Sequence, residues 1–173
     1  MRRWFEARPV AFEFALITVG LAAALTLSEL YLRRFMPQSL MSPAYEDRNG
    51  MRVFKSNSRI KHLTPFFRVV YETNALGFRG PLYPARKDEG VYRIVVLGPS
   101  FTFGLGVDER DTYARQLEGR LNEAAAGGRR YEVMNFGWPA SPLNAFLPFY
   151  RETLSRYKPD LVLLHLYPSM DRG

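Results

Sequence analysis

Val91-Tyr-Arg-Ile-Val-Val-Leu-Gly-Pro-Ser-Phe-Thr-Phe-Gly-Leu-Gly-Val107 is the stretch whose reading decides the fold. Ile94 to Leu97 make an unbroken apolar run that stops at Gly98. Such a run predicts a strand buried on both faces, as in a parallel sheet. Gly98-Pro99 turns the chain, and Ser100 follows just past the strand's carboxyl end. In open α/β sheets that end is where ligands bind. Gly104 and Gly106 keep the loop thin enough for a ligand or a second backbone to approach. A serine at this point is either a nucleophile or a loop residue that satisfies its own backbone.

Downstream the pattern turns helical. Asp111 or Thr112 is a candidate cap, with Tyr113, Leu117, Leu121 and Ala124 along one face. Gly127-Gly128 ends that helix. Tyr131 to Asn135 reads as a second strand. Pro142 to Tyr157 is a helix candidate in which Pro148 marks a kink or a start. After Lys158-Pro159-Asp160, Leu161 to Leu166 reads as a third buried strand. The order β-α-β-α-β with short loops predicts an α/β fold: a parallel sheet with right-handed crossovers.

Upstream, Val10 to Leu32 is apolar apart from Glu13, Thr18, Thr26, Ser28, Glu29 and Tyr31. It supplies the roughly 20 residues of a membrane span if Glu13 and Glu29 lie near the interfaces. Arg33-Arg34 then makes a stop. The alternative of a cleaved signal peptide lacks a cleavage site, because Ala22-Ala-Ala24 lies inside the apolar run. Arg2, Arg3 and Arg8 before the span are balanced by Arg33, Arg34, Arg48 and Arg52 after it, so charge leaves the orientation open. Pro37 and Pro43 make residues 36–49 read as a linker. Arg48 to Arg68 carries six basic residues and no acid. That run is either a contact for anionic lipid or an acidic polymer, or a solvated face on short strands. Phe66 to Tyr71 reads as one such strand. The expected organisation is residues 1–35 as a cytoplasmic tip and transmembrane anchor, 36–90 as a basic linker and short-strand region, and 91–173 as the amino-terminal part of an α/β domain.

The totals narrow the chemistry. The chain has 173 residues and no cysteine, which excludes disulfides, thiol catalysis and Cys-based zinc sites. His62 and His165 are its two histidines, too few for a rich metal site, and no cofactor is expected. The net charge of +7 lies wholly in residues 1–93, whereas residues 94–173 hold nine basic and nine acidic side chains. A nucleic-acid binder would carry its charge on the folded domain, so nucleic acid is not expected as a partner. There is no Gly-x-x-x-x-Gly-Lys-Ser/Thr and no Gly-x-Gly-x-x-Gly. Gly98-Pro-Ser-Phe-Thr102 lacks the second glycine of a nucleophile elbow.

Leu97-Gly-Pro-Ser-Phe-Thr-Phe-Gly-Leu-Gly-Val107 resembles the first motif of the SGNH (GDSL) hydrolases, a Gly-Asp-Ser followed by a Thr/Gly-rich loop, with Pro99 at the family's Asp. Asn74-Ala-Leu-Gly-Phe-Arg-Gly80 also resembles a segment of membrane-tethered members, for which a structural role is expected. The resemblance covers roughly residues 70–173. It implies a three-layer, flavodoxin-like sheet and a serine esterase acting on an acyl or acetyl ester of a lipid or polysaccharide. It also implies a soluble part facing outward from the membrane. Ser100 takes the nucleophile's position. Asn135-Phe-Gly137 matches an Asn-x-Gly at the second strand's end, making Gly137 an oxyanion donor, with Gly98 and Asn135 in support; the family's further glycine is Ala140 here.

The third motif departs from the family. Tyr167-Pro-Ser-Met-Asp171 puts Ser169, Met170 and Asp171 on the family's Gly, Asn and Asp, and Met170 cannot donate a hydrogen bond. The family's Asp-x-x-His is absent, so the resemblance implies the amino-terminal part of the domain. His165 reads as a mid-strand histidine, and Asp160 or Asp171 as substitute bases only. Two functions stand as expectations, beside a third reading in which the chain is a fragment with no function of its own. One is an anchored SGNH-type esterase, impaired or incomplete as written. The other is an inactive relative that binds a glycan, lipid or protein partner through the same cleft.

Overall fold

The computed structural model describes residues 10–36, 40–41, 43–48, 51–125, 127–139 and 143–166. The chain divides into two units, Met1–Ser39 with Thr64–Phe66, and Leu40–Leu63 with Phe67–Gly173.

In the first unit, α1 (Val10–Phe35) is a 26-residue helix. At about 1.5 Å per residue it exceeds the ~30 Å hydrocarbon core of a bilayer, and it is long and apolar enough to cross one. The hydroxyls of Thr18 and Thr26 donate to the carbonyls of Phe14 and Ala22, each at 2.8 Å. Both threonine hydroxyls inside the apolar run are thus satisfied by their own helix, as a lipid environment demands. Arg33 pairs with Glu29 at 2.7 Å, and Arg33 and Arg34 complement the dipole of the last turn.

The second unit is built on β6 (Val91–Gly98), the strand of the Ile94–Leu97 run. It pairs in parallel with β7 (Arg130–Gly137) on one side and β8 (Leu161–Leu164) on the other, in the order β7-β6-β8. Side chains alternate across β6. Ile94 and Val96 pack with Val133 against Ala114, Leu117 and Leu121 of α3 (Tyr113–Ala124). Val95 and Leu97 pack with Met134 and Phe136 against Phe146 and Phe149 of α4 (Leu143–Phe149). The two crossover helices therefore cover opposite faces. The result is a mixed α/β unit with a parallel three-stranded sheet, as expected from β6 outward.

Three details differ from the sequence reading. The buried stripe of α3 is Ala114 and Glu118, flanked by Leu117 and Leu121, whereas Tyr113 and Ala124 lie on its exposed side. Thr112 is the cap, its hydroxyl accepting from Arg115 N–H. The helix expected up to Tyr157 ends its regular part at Phe149. Pro148 offers no N–H to the turn before it, and the chain continues as a wide turn over Tyr150–Leu154. β8 is not buried: Leu161 to Leu164 are 37–45% exposed. An apolar strand is enclosed only when neighbours cover it, and among the described residues β8 pairs with β6 on one side alone.

Short strands already begin inside residues 36–49, the part that reads as a linker. β2 (Tyr45–Arg48) and β3 (Met51–Phe54) form a hairpin, while β1 (Leu40–Met41), β4 (Arg59–Leu63) and β5 (Arg68–Glu72) form an antiparallel sheet. Val53, Phe54, Ile60, Tyr71 and Phe78 join the same hydrophobic core as Val95, Leu97 and Phe136. A boundary at 90/91 therefore does not separate two cores. Period-two alternation explains the basic run. Arg52, Arg59, Lys61 and Arg68 point outward while Val53, Ile60, His62 and Val69 point inward. Arg59 pairs with Glu72 at 3.0 Å, and Arg52 lies 4.5 Å over the Tyr45 ring.

The amino end of the sheet is closed by charge. Arg93 of β6 faces Glu132 of β7 in register, with bonds of 2.9 and 2.7 Å to one carboxylate oxygen. Arg93 also donates to the Tyr157 carbonyl at 2.7 Å. Asp160 accepts the Arg93 backbone N–H at 2.7 Å and two 2.6 Å contacts from Lys87. Burial opposes the charge on Asp160, but Lys87 and the Arg93 N–H hold its carboxyl below the usual range.

His62 is buried on β4, and burial lowers its proton affinity. Its folded-state pKa is therefore below the unfolded value of about 6.5. The unfolded chain binds the extra proton first, so stability is full above that value and falls as pH drops through the window beneath it. The loss stops growing below the folded-state value. His62→Gln is expected to flatten this slope, read as midpoint against pH by thermal unfolding. An unchanged slope would assign the acid sensitivity to other groups.

Candidate functional site

The loop after β6 is set by three local constraints. Pro99 is extended (φ −80, ψ −151) and caps α2 (Ser100–Phe103) through its carbonyl, which accepts from Phe103 N–H at 3.0 Å. Gly104 closes that single turn at φ 77, a left-handed conformation, and its N–H returns to the Ser100 carbonyl at 3.0 Å. Ser100 is half-buried, while Thr102 and Phe103 are buried. As the first residue of α2, Ser100 has no intrahelical acceptor for its N–H. No hydrogen bond joins its hydroxyl to another described residue.

The α2 turn lies directly on the carboxyl ends of β6 and β7. A Cβ on Gly137 would collide with the backbone of Thr102 and Phe103, and a Cβ on Gly98 would collide with the Thr102 hydroxyl. Both glycines are required by this close approach, not by backbone strain. Asn135 fixes the turn from below. Its Nδ2 donates to the Thr102 carbonyl at 2.8 Å, and its Oδ1 accepts the Gly137 N–H at 2.9 Å. Gly98, Ser100, Asn135 and Gly137 are thus brought together at one sheet edge. The Gly137 N–H is engaged by Asn135 and points to that side chain. Ala140, Ser169, Met170 and Asp171 lie outside the described residues.

The far side of the loop is held by a residue whose role the sequence left general. Arg79 is 1% exposed. Its guanidinium donates to the carbonyls of Phe103 at 3.0 Å, Gly104 at 2.6 Å and Val107 at 3.0 Å, and lies over the rings of Tyr71 and Phe103. Glu109 lies 3.4 Å from Arg79 Nε, and burial raises the Glu109 carboxyl against the pull of that charge. The Tyr71 hydroxyl accepts the Gly106 N–H at 2.9 Å and meets His62 Nδ1 at 2.9 Å. The loop from Phe103 to Val107 is therefore braced from the antiparallel sheet. A cavity of about 790 Å³ lined by Asn74, Gly80, Glu109 and Arg115 opens on this bracing side, not over Ser100.

His165 is not mid-strand. It follows Leu164 at the carboxyl edge, half-buried, with its N–H on the Leu97 carbonyl at 2.8 Å. It thereby sits beside Gly98, its Cβ 2.9 Å from where a Gly98 Cβ would be. Its Nδ1 lies 3.3 Å from the Thr102 hydroxyl, which accepts from the Tyr113 hydroxyl at 3.1 Å. Burial raises the Tyr113 phenol, partly offset by the bond to Thr102, so it stays a donor at neutral pH. The parallel register Leu97↔Leu164 is what puts His165 there; periodicity within one strand carries no such signal. Asp160, by contrast, lies at the amino end of the sheet beside Arg93 and is no base for Ser100. Among the described residues no carboxylate bonds to Ser100 or His165, and no group of three metal-ligating side chains occurs.

The strand order gives this edge its meaning. The chain passes from β6 to β7 on one side and then back across β6 to β8 on the other. Ser100 leaves β6 and His165 leaves β8 at the crevice where the order reverses, the position at which open α/β sheets bind ligands. No family model, curated protein or solved structure matches the chain.

Proposed function

We propose that this chain is a membrane-anchored serine ester hydrolase of the SGNH type, acting on an acyl or acetyl ester of a lipid or polysaccharide. Residues 10–32 are its anchor and the sheet unit is extracytoplasmic. The observation that carries the reading is the place of Ser100, half-exposed at the crevice where the strand order β7-β6-β8 reverses. That order is the first part of a flavodoxin-like 2-1-3 sheet, which agrees with the three-layer SGNH fold. In the reaction the Ser100 oxygen adds to the ester carbonyl carbon, its proton leaving to a base from outside the described residues. The carbonyl π pair moves to oxygen, then returns as the alcohol departs with a proton. Water cleaves the acyl-serine by the same route. The Ser100 N–H is a donor for the intermediate, and Gly137 becomes one only if Asn135 releases it.

That engaged Gly137 N–H supports a second reading, a binding module for a glycan, lipid or protein partner in the same crevice. Labelling with a fluorophosphonate reagent separates the two. The hydrolase reading expects Ser100 to be labelled in the full chain in detergent, and Ser100→Ala to abolish it. A folded chain that is not labelled leaves the binding module.

A further inference from the structure

We infer that His165 presents its Nε2–H to the β6/β8 crevice as a fixed hydrogen-bond donor, and that this donor stabilises the oxyanion formed at Ser100. The substrate half of the inference rests on the ester-hydrolase reading above; the fixed tautomer does not.

The inference follows from counting protons on Thr102. This side chain is fully buried, and its hydroxyl has one proton to give and two lone pairs. The Tyr113 hydroxyl donates to it at 3.1 Å. The Thr102 proton then has one described acceptor in reach, His165 Nδ1 at 3.3 Å. With the Tyr113 hydroxyl donating, an Nδ1–H would put a second donor on the Thr102 oxygen and leave the Thr102 proton buried and unpaired, the costlier arrangement. Nδ1 is therefore the acceptor, and the neutral ring carries its proton on Nε2. No described residue accepts from Nε2.

Position makes that proton useful. The bond from His165 N–H to the Leu97 carbonyl extends the β6–β8 ladder by one residue and anchors the ring beside Gly98, two residues from Ser100. The ring also lies against Phe101, with centroids 6.1 Å apart. A donor issuing from the end of the third parallel strand supplies what Met170 cannot, and it needs no release of Asn135 from Gly137. His165 takes no proton in this role. When the carbonyl π pair moves onto oxygen, the Nε2–H donates to it. Thr102 and Tyr113 act through His165 and are positioning residues.

Two measurements on the full chain in detergent test this. Nitrogen-15 NMR of the neutral imidazoles, assigned with His62→Gln, is expected to show His165 as the Nε2–H tautomer. Thr102→Val is expected to return it to a mixture, and Tyr113→Phe to leave it largely Nε2–H. An Nδ1–H tautomer in the wild type would overturn the inference and make His165 a candidate base. His165→Phe keeps the ring without the donor and is expected to slow fluorophosphonate labelling of Ser100 by about 10²-fold. Unchanged labelling would remove the oxyanion role. A folded wild type that is not labelled would sink the hydrolase reading and the substrate half with it, while the tautomer is still decided by NMR. If His165→Phe does not fold, labelling of Thr102→Val, in which the tautomer is no longer held, is read instead: a slowed rate is expected and an unchanged one would remove the oxyanion role.

Discussion

Replacing Arg79 by methionine is expected to remove about 3–5 kcal/mol of folding stability, the range for breaking a buried charge pair from one side. The side chain is 1% exposed, and its Glu109 partner is 38% exposed. Methionine leaves the carbonyls of Phe103, Gly104 and Val107 without their donor and the Glu109 carboxylate without its cation. It also removes the guanidinium from the faces of Tyr71 and Phe103. The exposed part of Glu109 is its stem, since both carboxylate oxygens are buried, so solvent does not screen the charge that methionine would strand. The loss is a large share of the ~5–15 kcal/mol typical of a domain. Arg79→Lys is expected to recover only part, since an ammonium cannot reproduce the planar fork that reaches three carbonyls. Denaturant unfolding followed by tryptophan fluorescence reads this, Trp138 lying in the core. A methionine variant within about 1 kcal/mol of the wild type would contradict the brace.

Arg93 offers the second large effect, at the opposite end of the sheet. Arg93→Met is expected to cost about 3–5 kcal/mol, because Glu132 is 5% exposed and keeps, among the described residues, Arg130 at 3.2 Å as its remaining cation. The double change Arg93→Met with Glu132→Leu is expected to be less destabilised than Arg93→Met alone. Removing both charges removes the desolvation that each must otherwise offset. About 1 kcal/mol of loss is expected to persist from the Tyr157 carbonyl, which loses its donor in either case. A double-mutant cycle by denaturant unfolding measures the coupling. Additive losses would show that the two side chains act independently despite their 2.7 Å bond.

These two arginines mark a limit of sequence reading. Arg79 and Arg93 are buried, whereas Arg52, Arg59 and Arg68 lie on outward strand faces. Nothing local distinguishes them, because a charge is buried only where distant carbonyls or a carboxylate converge on it. The same holds for the basic run, whose outward direction follows from the pairing of β4 with β5. β8 shows the reverse case. Its apolar residues predict burial, but burial is conferred by neighbours, and among the described residues β6 is its one strand partner.

The sequence by itself determined what depends on a short window. A long apolar helix, the β-α-β-α-β order, a cap at Asp111 or Thr112 and the Gly98-Pro-Ser turn all follow from periodicity and turn chemistry. Glycine at 98 and 137 was legible as a position, though its reason, the pressing of α2 onto two strand ends, was not. The tertiary structure alone decided the strand order β7-β6-β8, and with it which loops share a crevice. It moved His165 from a strand interior to the side of Gly98 and sent Asp160 to the far end of the sheet. It also engaged the Gly137 N–H with Asn135. The strand order and the place of His165 depend on register between strands about 40–70 residues apart. That register is selected by burying the faces of the whole sheet at once, and no window within one strand contains it.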